Sequence, residues 1–299
     1  MDLSGHHFGP RRFLKPHTER LAARRYENFD VAPLSPVLGA EVRGIDLREL
    51  DDDTFAELQD AFYAFKVLFF RDQGINTQQH VAFAERWGEL EDHPFLPAKE
   101  GYDQLVSLAK DEETVGVENQ WHSDVSWREV PSLGSVLRAV EVPSVGGDTL
   151  FADMSAAYEG LPDDIKQRID GAVAVHDFTQ SFGAMMDAET RVERQKEYPP
   201  ARHPVVRIHP ATGAKILYVN RIFTSHIVGM DAAESEALIE RLCRETSVPE
   251  YQCRFRWQKN SVAFWDNRAV QHYAVSDYWP AKRIMERATI VGERPVGPA

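Results

Sequence analysis

The chain has little cysteine and no long apolar run. Its 299 residues include only two cysteines, Cys243 and Cys253, which is too few for the disulfide framework of a small secreted domain. No apolar run reaches the roughly 18 residues that span a membrane, and the amino terminus lacks the apolar stretch of a signal peptide. We therefore expect a cytoplasmic protein with no membrane partner.

Basic residues and domain linkers are also scarce. Lys and Arg total 34 against 47 Asp and Glu, a net charge of -13, so we expect no nucleic-acid partner. The basic cluster from Arg11 to Arg25 contains apolar residues, and we interpret it as a solvated or oligomer-contacting arm. Because the chain has no low-complexity linker or internal repeat, we predict one domain, at 29–299, after an N-terminal arm at 1–28. We also expect a homo-oligomer.

Short strand-like segments separated by turns make up most of the sequence. Helical spacing of apolar residues predicts several helices, including those at 52–65, at about 78–87 after a cap at Thr77, and from a capping residue at Asp231. A strand pair is predicted at 203–208 and 215–219, and further strands between 251 and 291. Many short strands without βαβ alternation predict a jelly roll or barrel, mainly β, with helices packed outside.

One long segment is predicted to be a connection between regular elements. Residues 179–202 are mostly polar, include Met185 and Met186, and contain two prolines near their end, at 199 and 200. Long connections of this kind are often lids over active sites. We interpret this segment as a mobile flap.

The most informative motif is His122-Ser123-Asp124. Residues two apart on an extended chain point to the same side, so this imidazole and carboxylate could reach one ion. His272 can supply a third ligand, and two His with one carboxylate form the facial triad of non-haem Fe(II) oxygenases. The same ligand set could also hold zinc in a hydrolase. An isolated His-x-Asp is weak evidence, because a chain with 11 His and 47 acidic residues contains such pairs by chance.

The surroundings of this motif strengthen the interpretation. The chain resembles the taurine dioxygenase (TauD/TfdA) family of Fe(II)- and 2-oxoglutarate-dependent dioxygenases from about residue 29 to about residue 294. The resemblance rests on four segments, Trp121 to Asp124, Pro143 to Leu150, His203 to Arg207, and Trp265 to Arg268 continuing to Arg287. It implies a double-stranded β-helix (a cupin-like jelly roll), with Fe(II), 2-oxoglutarate and O2 as cofactor and cosubstrates.

The resemblance also implies roles for individual residues. Thr149 and Arg283 would bind 2-oxoglutarate, and Arg287 would face the acidic group of a small anionic substrate. The family's substrate-binding His corresponds to His93, although this residue could also be a surface-loop His. Pocket aromatics of the family correspond to Phe182 and Phe223, for which ordinary core packing is the alternative. We expect the remaining candidates to be structural, namely Trp121, Trp127, Trp265, His176, His203 and His209.

Two departures from the family affect the substrate. Leu96 stands where taurine dioxygenases carry Tyr, and Glu118 stands where they carry Asn, so taurine itself is in doubt and Glu118 could receive an amine. The resemblance implies hydroxylation of a small anionic, taurine- or alkylsulfonate-like substrate, with conversion of 2-oxoglutarate to succinate and CO2. Oxidation of an amino acid or N-acyl amino acid is the main alternative, and a non-catalytic jelly-roll binding protein is a further one.

Overall fold

Strands are the main regular structure of the computed structural model, which describes residues 9–116 and 118–298. Within these residues the strands are β1 (Asp30–Pro33), β2 (Ala40–Arg43), β3 (Val67–Phe70), β4 (Ala98–Lys99), β5 (Tyr102–Lys110), β6 (Ser132–Glu141), β7 (Thr149–Asp153), β8 (Val173–His176), β9 (Ala201–Pro204), β10 (Val206–Ile208), β11 (Lys215–Leu217), β12 (Thr224–Ile227), β13 (Gln252–Phe255), β14 (Val262–Asp266), β15 (Val270–Ala274) and β16 (Arg283–Val291). The α-helices are α1 (Lys15–Ala22), α2 (Asp52–Phe65), α3 (Thr77–Glu85), α4 (Met154–Gly160), α5 (Asp163–Ile169), α6 (Ala188–Glu197) and α7 (Ala232–Cys243).

Two of the four sheets formed by the described residues pack face to face. The main sheet has eight strands in the order β1-β2-β3-β14-β6-β16-β5-β4, and a minor sheet has the order β13-β7-β15. All their pairings are antiparallel except β2 with β3. Phe69 of the main sheet packs against Phe151 and Phe255 of the minor sheet, with ring centroids 5.6 and 4.1 Å apart. This arrangement agrees with the predicted jelly roll, and it places the ends of β7, β15 and β16 around one cavity.

Two helices cover the outer face of the main sheet. In α2, Phe62 stacks on Phe264 of β14 with ring centroids 4.0 Å apart. Trp87, just after α3, packs on the same Phe264 ring at 4.5 Å. The helices therefore lie outside the sheets, as the sequence predicts.

The predicted helix boundaries agree closely with the structure. Helix α2 has the predicted bounds, and the Asp231 carboxylate accepts hydrogen bonds from the backbone at the start of α7. The predicted cap at Thr77 is wrong by one residue. Asn76 is the cap and forms a capping box with Gln79, so Thr77 is the first helical residue.

The structure divides one predicted strand and places a helix within the predicted flap. Residues predicted as a single strand at 203–208 belong to two strands, since β9 pairs with β8 whereas β10 pairs with β11. The segment 179–202 contains short 3-10 turns and the helix α6.

Residues 9–28, within the predicted arm, pack against the domain. Leu14 is buried in the core between the sheets, and Leu21 is buried in the core beneath the helices α2 and α3. Residues 1–8 of the predicted arm, and residue 299 at the end of the predicted domain, lie outside the described residues. Among the residues that the structure does describe, no helix is long and apolar enough to cross a membrane.

Candidate active site

Main-chain hydrogen bonds join two of the three predicted metal ligands. His122 and His272 form an isolated β-bridge in which each N–H donates to the other's carbonyl, at 3.1 and 2.9 Å. His272 lies on β15, which is fixed to β7 along its length. The bridge therefore places two imidazoles side by side, with ring centroids 4.2 Å apart.

Asp124 completes a compact group of donor atoms. Its Oδ1 lies 3.7 Å from His122 Nε2 and 3.9 Å from His272 Nε2. One ligand atom from each of the three residues lies within 4.8 Å of the other two. The His122 ring is oriented by its Nδ1, which lies 2.8 Å from the carbonyl of Gln120. Such spacing fits a single ion bound on one face, as in a facial triad.

Asp124 is held in place by Asn267 and Ser135, which had no role assigned from the sequence, and by Arg287. The Asn267 side chain accepts from the Asp124 N–H at 2.7 Å and donates to the Asp124 carbonyl at 2.9 Å. Ser135 Oγ donates to Asp124 Oδ2 at 3.1 Å. Arg287 Nη1 donates to Asp124 Oδ1 at 2.9 Å. Asn267 belongs to the Trp265–Arg268 motif, but its reciprocal contact with Asp124 depends on the folded chain.

Burial and neighbouring charges determine the protonation states of two of the predicted ligands, Asp124 and His272. Burial alone would raise the pKa of the Asp124 carboxyl, but Arg287, His272 and His122 outweigh it and hold the pKa well below its ordinary value. Burial, with a contribution from His122, lowers the pKa of His272 to about 3. At neutral pH Asp124 is therefore ionised and His272 is neutral, which are the forms that bind a metal.

A buried cation occupies the end of the cavity predicted to bind 2-oxoglutarate. Arg283 is only 6% exposed, and its Nε has no hydrogen-bond partner among the described residues. Thr149 of β7 lines the same cavity, and its Oγ1 accepts a hydrogen bond of 2.9 Å from Trp257 Nε1. Because Trp257 occupies an acceptor site, the Thr149 O–H remains available to donate. A carboxylate would satisfy both Thr149 and Arg283, so the fit to 2-oxoglutarate is good.

A glycine supports this arginine. Gly147 has φ +70°, and a Cβ at that position would lie 3.2 Å from Arg283 Cδ and Nε. Its N–H donates to Asp277 Oδ1 at 2.8 Å. The turn before β7 therefore forms one wall of the Arg283 site.

The predicted substrate residues line the same cavity of about 440 Å³ as the triad, namely His93, Glu118, Phe182, Phe223 and Arg287, together with Leu96. Phe182 packs edge-on against His93, with ring centroids 5.5 Å apart. Burial and then Arg287 lower the pKa of His93 to about 3. The backbone N–H groups of Phe95 and Leu96 donate to His93 Nδ1, so the neutral ring carries its proton on Nε2.

Glu118 has a partner that the sequence did not reveal. Its Oε1 lies 2.8 Å from Lys110 Nζ, at the end of β5. The carboxylate that the sequence suggested for an amine is therefore already paired with a cation. Both side chains line the cavity.

The remaining histidines and tryptophans have structural contacts. The rings of His176 and His203 are hydrogen-bonded to Ser126, and His209 pairs with Asp266 at 2.9 Å. None of these histidines belongs to the ligand group found among the described residues. Trp127 and Trp265 are buried, and Trp265 packs on the His272 ring at 4.8 Å. Trp121 packs against Tyr273 at 5.6 Å.

Comparison with known proteins identifies the family. The model of the taurine catabolism dioxygenase TauD, TfdA family matches residues 30–289. The chain is 37% identical over 278 residues to an α-ketoglutarate-dependent sulfate ester dioxygenase of Pseudomonas putida, covering 90% of this chain and 91% of that protein. It is 35% identical over 294 residues to an alkylsulfatase of Acinetobacter baylyi, covering 95% and 89%.

A solved structure shows the same fold. The crystal structure of a taurine dioxygenase from Burkholderia xenovorans has a TM-score of 0.79 at 37% identity, covering 91% of this chain and 94% of that one. The chain belongs to the TauD/TfdA family. It is a non-haem iron dioxygenase that depends on α-ketoglutarate, which is 2-oxoglutarate. The predicted family, jelly-roll fold and enzyme class are thereby confirmed.

Proposed function

We propose that this enzyme oxidises an alkyl sulfate ester at the carbon that bears the ester oxygen. The observation that carries the proposal is the placement of Arg283 and Arg287 four residues apart on β16, in one cavity with the triad. Residues four apart on a strand share a face. One cavity thus offers two cationic sites beside three metal ligands, one for a cosubstrate and one for a substrate anion.

We assign one Fe(II) to His122, Asp124 and His272, because their donor atoms converge and because Asp124 is ionised while His272 is neutral. Bound iron, 2-oxoglutarate and O2 would supply the oxidant that takes a hydrogen from a substrate C–H, while 2-oxoglutarate becomes succinate and CO2. Arg283 would form a bidentate pair with the distal carboxylate of 2-oxoglutarate, to which Thr149 also donates.

The free thiols of the protein fit a reducing compartment. Cys243 and Cys253 form no disulfide. A reducing cytoplasm keeps thiols free, and it would also keep iron in the ferrous state. We therefore place the enzyme in the cytoplasm.

The substrate end of the cavity suits an anionic head and an apolar tail. Arg287 and the Nε2–H of His93 would donate to the sulfate oxygens. Leu96 and Phe182 add apolar wall, and Leu96 replaces the hydroxyl that taurine dioxygenases carry there. Oxidation at the carbon next to the ester oxygen gives a hemiacetal sulfate, whose C–O bond breaks as the hydroxyl proton leaves, releasing an aldehyde and sulfate. The two curated relatives named above, which act on sulfate esters or are called alkylsulfatase, support this substrate class.

A substrate panel tests the proposal. Succinate, sulfate and aldehyde would be measured with hexyl sulfate, hexanesulfonate, taurine and N-acyl amino acids. We expect hexyl sulfate to give the highest kcat/KM, with one sulfate and one aldehyde per succinate. A highest kcat/KM for taurine, or for an N-acyl amino acid, would overturn the proposed substrate class.

A metal titration tests the ligand assignment separately. The protein should bind about one Fe(II), and His272→Ala should lose it, because groups outside the ligand set cannot replace a missing ligand. Isothermal titration with Mn(II) under anaerobic conditions gives the same readout without turnover. Undiminished metal binding by His272→Ala would contradict the assignment.

A further inference from the structure

We propose that the ion pair between Lys110 and Glu118 makes the enzyme select substrates with an uncharged tail. The inference rests on the proposed function, since it assumes a substrate whose anionic head lies at Arg287. It adds a selectivity element made of two residues that cancel each other's charge at the rim of the cavity.

The pair lies at the boundary between the cavity and solvent. Lys110 Nζ and Glu118 Oε1 are 2.8 Å apart, and their side chains are 18% and 39% exposed. Both line the cavity that contains the triad, and apolar side chains of Leu108 and Val115 line it beside them. A substrate tail that extends from the metal towards solvent along this wall would reach the pair.

Strand register explains why the pair exists and how far it lies from the substrate anion site. Lys110 of β5 is directly opposite Arg283 of β16, and Val106 is opposite Arg287. Two like charges opposite each other destabilise a sheet, and Glu118 offsets this repulsion. At about 3.4 Å per residue, the four residues from Arg287 to Arg283 separate the backbone positions by about 14 Å. The pair therefore lies at the Arg283 end of the cavity, remote from the anionic head, and the part of the substrate that it can contact is the tail.

The charge balance of the pair has a direct consequence for selectivity. An ammonium on the tail could contact Glu118 only in competition with Lys110, and a carboxylate on the tail could contact Lys110 only in competition with Glu118. An uncharged tail disturbs neither residue. Removing Lys110 should create a preference for an ammonium tail, and removing Glu118 should create a preference for a carboxylate tail. In each case the tail of the preferred substrate compensates the charge that is left unpaired, whereas the tail of the other substrate does not.

The experiment uses Lys110→Met, Glu118→Gln and the double variant, each as the iron-loaded enzyme. The substrates are hexyl sulfate, 6-aminohexyl sulfate and 6-sulfooxyhexanoate, and the readout is kcat/KM of each charged-tail substrate relative to hexyl sulfate. We expect Lys110→Met to raise the ratio for the ammonium tail by at least about threefold, a size that a partly exposed ion pair supports. Glu118→Gln should raise the ratio for the carboxylate tail similarly.

The double variant and a neighbouring lysine distinguish charge from shape. The double variant, which has no charge at either position, should return both ratios to near wild-type values. Lys282→Met removes a lysine that pairs with Glu141 at 3.5 Å and is absent from the cavity lining, and it should change neither ratio. Unchanged ratios in both single variants, or shifts of the same sign in both, overturn the role of the pair. Failure of the wild-type enzyme to turn over any of the three sulfates overturns the proposed function and this inference together.

Discussion

At the scale of single residues, Arg283 is the side chain whose surroundings most clearly call for a ligand. It is buried and its Nε has no partner among the described residues. We expect Arg283→Ala to raise KM for 2-oxoglutarate by at least about tenfold, because loss of one member of a buried charge pair costs roughly 2–5 kcal/mol. Arg283→Lys should restore little of the affinity for 2-oxoglutarate, since an ammonium lacks the planar, two-pronged donor geometry of a guanidinium. Steady-state kinetics with varied 2-oxoglutarate measure this, and an unchanged KM in Arg283→Ala would contradict the assignment.

We expect Trp257 to influence the binding of 2-oxoglutarate indirectly, through Thr149. Its indole N–H is the donor to Thr149 Oγ1, and Trp257→Phe removes that donor while keeping an aromatic ring. The Thr149 hydroxyl would then be free to turn away from the cosubstrate. We expect KM for 2-oxoglutarate to rise by about two- to tenfold, the range of one neutral hydrogen bond, with kcat little changed. An effect exceeding that of Arg283→Ala would show that Trp257 contributes more than this hydrogen bond.

At the scale of structural elements, the turn before β7 links backbone conformation to cosubstrate binding. Gly147→Ala places a Cβ against Arg283 at a positive φ, whereas Gly213→Ala has nearly the same φ, +71°, with nothing within 4 Å. Both variants should lose about 1 kcal/mol of stability from backbone strain. Only Gly147→Ala should also raise KM for 2-oxoglutarate. Equal KM values in the two variants would show that Arg283 has room to move.

Local signals in the sequence predicted the helix boundaries well. Strand boundaries that depend on pairing with distant segments were harder to predict. The bounds of α2 and the cap of α7 follow from nearby residues, as capping depends on a few neighbouring groups. The break between β9 and β10 does not, because it arises when consecutive segments pair with different strands.

The same limit applies to the site. The His-x-Asp motif and the family spacing predicted the residues that line the cavity. The Lys110–Glu118 pair and the Asn267 contact with Asp124 could not be predicted, since residues far apart in sequence meet there only in the folded chain.

At the scale of the whole molecule, buried neutral histidines predict acid sensitivity. Burial lowers the pKa of His80 and of His203 to about 4, and of His93 to about 3. Unfolded histidines titrate near 6.5. Below that pH the unfolded chain takes up protons that the folded chain refuses, so the free energy of unfolding falls as pH drops from about 6.5 towards 4.

Glu91 has the opposite effect on the pH dependence of stability. Burial raises the pKa of Glu91 to about 7, so the folded chain takes up that one proton before the unfolded chain does. Three histidines outweigh it, and each contributes up to about 1.4 kcal/mol per pH unit. Urea unfolding of the metal-free protein should show a lower midpoint at pH 5 than at pH 7, and His80→Gln should reduce the difference. An equal or higher midpoint at pH 5 would contradict this balance.

The bridge between His122 and His272 consists of main-chain atoms alone. The jelly roll therefore brings these two positions together whatever side chains they carry. A new pair of side chains there would inherit the same spacing, and Asn267 would still fix the backbone of the third position. The fold can thus serve as a ready-made frame for engineered coordination spheres, in which the ligand set is exchanged to suit another metal while the surrounding protein stays as it is.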